Sequence, residues 1–374
     1  MKNYSETSQP RLVQLDLLRA LAVFLVLGNH LPPCPPETNL YAHKITQAWF
    51  FGGWVGVDLF FVLSGFLISG LLFREYQRTG TLNLKRFLIR RGLKIYPSFY
   101  VLIAVTVLVY AAFGQEIPVK NLLAEIFFVQ NFFGKLWGHT WSLAVEEHFY
   151  IGLAILAYFL LRFKFSKNNP FSWTPHIFLF FAVVCFALRA LMAIYKGTSI
   201  GLTFFRVDAL FFGVTISYFW HFHNISKNYY LARFKNWFLG MAVLLFLPAF
   251  LFLSITNRWF FVFGMISNYI AAGLLLMGSL KSDFKNGSMV KTISYIGAYS
   301  YSIYLWHLPF QYWIVPILIK LTGINNWFFF AGCYLAGSIL FGILLSKIVE
   351  YPILRIRDRY FPPLSSALVQ TSER

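Results

Sequence analysis

The chain has 374 residues, 58% of them hydrophobic and only 12% charged, about half the charge of a soluble domain. Apolar stretches long enough to cross a bilayer recur from end to end, which excludes a soluble globular class and predicts an all-α polytopic membrane protein. The formal charge of +18 does not point to nucleic acid, because the basic residues fall between the apolar stretches, mostly in alternate loops.

Ten spans are expected, at 12–31, 52–73, 95–113, 141–163, 176–195, 203–220, 237–254, 259–280, 294–318 and 327–349. With the N-terminus in the cytoplasm, 23 of the 32 Lys and Arg lie on the inner side and six on the outer, leaving Arg19, Arg189 and Arg206 within spans. This asymmetry predicts a bundle of about ten helices, N-in and C-in. Residues 1–11 and 351–374 are then cytoplasmic tails around one transmembrane domain, 12–350. No internal repeat or appended soluble domain is evident. Cys34, Cys185 and Cys333 are too scattered for a disulfide framework or a metal cluster.

The first span contains "RALAVFLVLGNH". It reads as an uncleaved signal anchor, because Pro32, Pro33, Pro35 and Pro36 follow where a cleavage site would lie. Arg19 and His30 are eleven residues apart, close to three turns, so they share a face and lie about 16 Å apart along the axis. Asp16, one turn below Arg19, can pair with it. Arg19 can also be a snorkelling anchor and His30 an interfacial helix end. Each ionisable group in the hydrocarbon core costs about 2.5–3.5 kcal/mol and so needs a partner or a task.

The second span, "GGWVGVDLFFVLSGFLISG", carries Asp58 about one and a half turns from the outer surface. Its glycines read as a close-packing face. Between spans two and three, "KRFLIRRGLKIYP" places Arg86, Arg90, Arg91 and Lys94 at the inner membrane face. These cations serve as a positive-inside signal, and four within nine residues also suit a polyphosphate. Segment 119–133 is apolar but short and interrupted by Glu125, so it is expected as an outer re-entrant or interfacial piece.

The fourth span opens "HTWSLAVEEHFY", with Trp141 at the outer interface and Glu146 and Glu147 about one turn deeper. Adjacent helical residues point about 100° apart, so only one glutamate can face a given partner, and the other can reach a group such as Arg206. Arg206 and Asp208 open span six two residues apart, so each should find a partner on a neighbouring helix. Span nine holds "SYSIYLWH", with Ser300, Tyr304 and His307 at helical spacing; His307 reads equally as a hydrogen-bonded core histidine. Glu350, in "IVEYPILR", is level with the Arg90 cluster.

Depth sorts these residues into an outer group (His30, Asp58, Trp141, Glu146, Glu147, Arg206 and Asp208) and an inner group (Arg19, Arg90, Arg91, Lys94 and Glu350), with His307 between them. An imidazole among carboxylates, opposite a phosphate-ready basic cluster, suits group transfer across a membrane. The same buried charges could line the path of a transporter or flippase, although the broken helices and paired repeats of transporters are not evident.

Arg19 with His30, "GVDLFFVLSGFLIS", "RRGLKIYP", "TWSLAVEEHFY", "SYSIYLWH" and the terminal "EYP" together resemble the acyltransferase-3 family of integral-membrane acyltransferases, over about residues 11–360. The resemblance implies transfer of an acyl group, usually acetyl, from cytosolic acyl-CoA to a carbohydrate hydroxyl outside the cytoplasmic membrane of a bacterium. It implies the stand-alone form, without an esterase-like domain. It makes His30 the catalytic base and Arg19 its companion in the first-span motif, and places Glu146 with Trp141 in the Trp-centred motif; in the mechanism read from these residues, Glu146 or Asp58 orients the acceptor. The family's arginine pair falls on Arg91 and Lys94, the second member here being lysine, which keeps the charge and loses the fork. Arg90 and Glu350 join them at the coenzyme, and Trp141, Glu147, Arg206, Asp208 and His307 at the acceptor. Expected partners are acyl-CoA, the carbohydrate and membrane lipids, with no nucleic acid and no metal; a homo-oligomer is left open. Transfer is either direct or through an acyl-enzyme on His30 or Ser142.

The topology makes a direct prediction. A cysteine at position 127 should react with a membrane-impermeant thiol reagent from outside the cell, and labelling from the cytoplasm would break the span count from residue 119 onward.

Overall fold

The computed structural model describes residues 12–163, 169–195, 198–225, 228–251, 257–284 and 287–362, and among these every regular element is helical. Among the described residues, seven helices are long and apolar enough to cross a membrane. They are α1 (Val13–His30), α3 (Val55–Thr79), α4 (Leu84–Ala112), α7 (Trp141–Phe163), α8 (Thr174–Tyr195), a run ending in α12 (Met265–Leu280), and a run beginning with α16 (Trp327–Leu345). The chain is thus an all-α polytopic membrane protein.

The other expected spans are shorter or interrupted. Span six becomes a 16-residue helix, α9 (Val207–Phe222), and span seven becomes α11 (Lys235–Leu251), with 252–254 outside the described residues. Span nine is broken, contrary to the expectation of unbroken helices. It runs as α13 (Ser288–Ala298), α14 (Ser300–Pro309), a wide π turn and α15 (Val315–Thr322). Pro309 has no N–H to donate and crowds the preceding turn, and the π turn follows directly after it. A second π turn at Ser346–Glu350 joins α16 to α17 (Tyr351–Tyr360), so the helix continues past residue 350 into the expected tail. The expected N-terminal tail 1–11, and residues 363–374 of the expected C-terminal tail 351–374, lie outside the described residues. So do Lys164, Lys167, Lys196, Lys227 and Lys285, which entered the charge count.

The segment 119–133 folds as two short helices, α5 (Val119–Ile126) and α6 (Gln130–Phe133), neither long enough to span. An additional helix, α2 (Leu40–Gly52), follows the proline-rich stretch, and a short α10 (Tyr229–Arg233) precedes α11. The helix α4 begins eleven residues before its expected span. Asn83 caps it, its side-chain oxygen accepting from the Arg86 N–H at 2.9 Å. The basic run taken as a loop is therefore the first three turns of a helix, which decides where each cation points.

The central helix is α3. It is surrounded by α1, α9 and α12, whereas α8 and α16 present mostly exposed apolar side chains such as Leu179, Phe180 and Leu340. That exposed apolar rim suits lipid. α3 and α9 approach backbone to backbone: a Cβ on Gly65 would run into the Leu210 carbonyl oxygen, and one on Gly213 into that of Val62. Gly65→Ala should cost about 1–3 kcal/mol of stability by overpacking this contact. Gly152, beside which a Cβ would meet nothing, provides the control. Thermal unfolding of the detergent-purified variants should lower the midpoint for Gly65→Ala and leave it in place for Gly152→Ala.

Candidate active site

A cavity of about 250 Å³ lies between α1, α3, α4, α7 and α14. Arg19, Arg91 and Lys94 line it together with Glu146, Ser142 and Tyr304. Arg91 and Lys94 are one helical turn apart on α4, so both face inward. The Arg91 guanidinium lies 4.4 Å from the Tyr150 ring centre and donates to the Tyr150 hydroxyl at 2.7 Å. That hydroxyl shares a 2.6 Å hydrogen bond with Ser64. Lys94 is ion-paired with Glu350, whose other oxygen accepts from Ser302 and Ser346 at 2.9 Å each. Arg19 bonds Asp16 at 2.7 Å, the pairing its spacing predicts.

Arg86 and Arg90, four residues apart, share the other face of α4. They donate to the carbonyl oxygens of Pro362 and Phe361, and Arg90 also meets Asp358 at 3.0 Å. The four cations read as one cluster are thus two pairs, and Arg90 braces the end of α17 while Arg91 and Lys94 face the cavity.

The two glutamates of α7 part as their 100° offset requires. Glu146 lines the cavity, and Glu147 accepts from the Tyr96 hydroxyl at 2.9 Å. Arg206 does not reach either. It pairs with Asp58 at 2.6 Å, and Asp58 also accepts from Asn268 at 3.4 Å. Asp208 pairs with Arg189 at 2.8 Å. Both pairs join neighbouring helices, as expected, and all four side chains are at most 2% exposed. Phe61, Trp54 and Trp141 surround the Arg206 guanidinium at 5.3 to 5.9 Å. Phe61 lines the cavity, so Asp58, Arg206 and Trp141 stand behind its aromatic wall.

Three histidines meet beside the cavity. The His30 and His307 rings are 4.9 Å apart, with Nδ1 of His30 at 3.3 Å from Nε2 of His307. His139 lies 4.9 Å from His307. Carbonyl oxygens only accept, so the protons can be placed from the partners. Nδ1–H of His307 donates to Tyr304 O at 2.6 Å, and Nδ1–H of His30 donates to Val26 O at 3.0 Å. Nε2 of His30 then carries the lone pair. His139 uses Nε2–H on Leu305 O at 3.1 Å. Beside them, Ser142 and Tyr304 line the cavity: Ser142 bonds the Tyr304 hydroxyl at 2.6 Å, and that hydroxyl donates to the backbone carbonyl of His139 at 2.7 Å.

His139 was not singled out in the sequence, although it stands two residues before Trp141. It sits in an irregular segment, where no helical period relates it to His307. Glu125 fixes that segment. Its carboxylate accepts from Thr140 Oγ1 at 2.8 Å and from Leu136 N at 3.0 Å. The residue that interrupts an apolar stretch is therefore the anchor of the loop carrying His139. Among the described residues no group of His, Cys, Asp and Glu is arranged to hold a metal ion.

Residues 12–347 match the family model described as an acyltransferase domain, acyltransferase-3. The chain belongs to this acyltransferase family. It is similar to the peptidoglycan O-acetyltransferase OatA of Listeria monocytogenes, 29% identical over 94% of this chain and 57% of the relative. It is equally similar to the O-acetyltransferase OatA of Staphylococcus aureus, 29% identical over 82% of this chain and 52% of the relative. The chain thus spans about half the length of the curated relatives it matches. No solved structure matches it.

In this acyltransferase-family chain the Asp58–Arg206 pair should hold the bundle together. Asp58→Ala strands a buried guanidinium and should cost about 3–5 kcal/mol, whereas Asp58→Leu with Arg206→Met should recover most of the loss. Unfolding in denaturing detergent reads this directly. A fully stable Asp58→Ala chain would place Asp58 outside the scaffold.

Proposed function

We propose that the chain is a membrane O-acyltransferase that moves an acyl group, acetyl in the first instance, from cytosolic acyl-CoA to a glycan hydroxyl outside the cytoplasmic membrane. The observation that carries this reading is one cavity lined by Arg19, Arg91, Lys94, Glu146, Ser142 and Tyr304, with the Tyr304 carbonyl holding His307 against His30, whose Nε2 is bare. The names of its relatives support acetyl as the group and a cell-wall glycan as the acceptor class. The reading includes ten crossings, N-in and C-in, with α9, α11 and the interrupted α13–α15 run as the three beyond the long helices.

Arg91, Lys94 and Arg19 hold the phosphorylated donor, and Glu350 positions Lys94 for it. Nε2 of His30 takes the proton of the acceptor hydroxyl. The oxygen attacks the thioester carbonyl carbon, a C–O bond forms and the C–S bond breaks. The coenzyme thiolate leaves and receives its proton from the His30 imidazolium. His307 and the Val26 carbonyl hold the His30 ring in the tautomer this requires. Glu146 orients the acceptor; the oxygens of Asp58 are engaged by Arg206 and Asn268. Ser142 already lines the cavity with Glu146, so an acyl-serine route would start from that hydroxyl.

A transporter reading gains one supporting observation, the interrupted α13–α15 run, since discontinuous helices often line substrate paths. Transport needs no base, so one variant separates the two. His30→Ala should reduce acyl transfer about 10²–10⁴-fold while membrane insertion and coenzyme binding stay near those of the parent. The measurement is labelled acetyl appearing on glycan per unit of folded protein. Near-parental turnover would remove His30 from the mechanism and favour transport.

A further inference from the structure

A second recess, of about 350 Å³, lies at the end of α1 opposite His30, between α1, α13 and the start of α17. Its size is within the range of small-molecule sites. Tyr295, Tyr299 and Tyr351 form its aromatic wall. Ring centres are 4.9 Å apart between Tyr295 and Tyr299 and 5.7 Å between Tyr299 and Tyr351. Lys291 lines the recess, and the Lys347 ammonium lies 6.0 Å from the Tyr295 ring centre. Asp16 and Ser294 complete it with polar groups.

The recess adjoins the reaction cavity. Ala298 lines both, and Asp16 of the recess is bonded to Arg19 of the cavity. At Gly297 a Cβ would strike the Asp16 carbonyl oxygen, so α13 lies directly against α1 at this boundary. From Asp16 to His30 is fourteen residues of helix, about 21 Å along the axis. That is of the order of an extended acyl-phosphopantetheine arm.

We propose that this recess is the nucleotide subsite of the donor, taking the adenine against the tyrosine rings and the ribose 3′-phosphate on Lys291 and Lys347, while the diphosphate and the arm pass Ala298 toward Arg19, Arg91 and Lys94 in the cavity. This rests on the acyl-CoA reading above. Flat aromatic faces stack on any nucleobase, and flexible ammonium groups meet phosphate as point charges. A recess of this chemistry has no task in the acceptor half of the reaction, where the ligand is a polyhydroxylated ring.

The test uses the full-length protein in lipid nanodiscs and three probes: coenzyme A, adenosine 3′,5′-bisphosphate and 4′-phosphopantetheine. Tyr295 and Lys291 are exposed, so Tyr295→Ala with Lys291→Gln should fold. The double variant should bind coenzyme A and the bisphosphate about tenfold or more weakly than the parent, with 4′-phosphopantetheine unchanged. Unchanged affinity for the bisphosphate, in a parent that binds coenzyme A, overturns the subsite alone. Equal weakening for all three probes also overturns it, because the damage then extends beyond the recess. A parent protein that does not bind coenzyme A at all overturns the acyl-CoA reading and the subsite together.

Discussion

A charge inside an apolar helix bundle has no water to solvate it, so it must find an opposite charge or a set of hydrogen bonds within the protein. That constraint organises this molecule. Asp58 and Arg206 tie α3 to the start of α9, and Arg189 and Asp208 tie α8 to α9. Lys94 and Glu350 tie α4 to the turn before α17. Each pair closes an interface that small residues and aromatic rings then fill, as where Gly65 and Gly213 bring α3 and α9 together. Removing one member of such a pair leaves a buried charge without its partner, so the pairs lock the helices in one register.

The same pairing separates residues that tie helices together from residues that line the cavity. Asp58 and Arg206 are paired with each other, and Asp208 with Arg189, all four buried. Glu146 and Arg91 remain on the cavity surface, where a ligand can meet them. The helical period makes the choice. Arg86 and Arg90 lie on one face of α4, and Arg91 and Lys94 on the next. A single residue of offset divides a brace for the C-terminal helix from the cationic lining of the cavity.

The imidazoles follow a related logic without formal charge. Each ring nitrogen aimed at a backbone carbonyl must carry its proton, and this fixes the tautomers of His30, His307 and His139. His30 is left with a lone pair at Nε2, the feature a general base needs. The carbonyls responsible belong to the helix turns preceding His30 and His307, so the helices themselves set the protonation pattern.

Much of this was legible in the sequence. Apolar runs of bilayer length and the short interrupted segment at 119–133 follow from solvation along the chain and need no knowledge of neighbours. The Arg19–Asp16 pair and the divergence of Glu146 from Glu147 follow from helical geometry alone. The sequence could not say that the basic run belongs to a helix, because propensity leaves that boundary open and the Asn83 cap settles it. Nor could it bring His139 to His307 or Glu125 under the loop that carries His139, since these contacts join segments 168 and 11 to 15 residues apart through irregular backbone. One-dimensional patterning determines which segments enter the membrane and which residues are costly there. Only the packing of those segments decides which costly residues neutralise each other and which remain facing a cavity, because partner choice depends on distances between helices that no single helix contains.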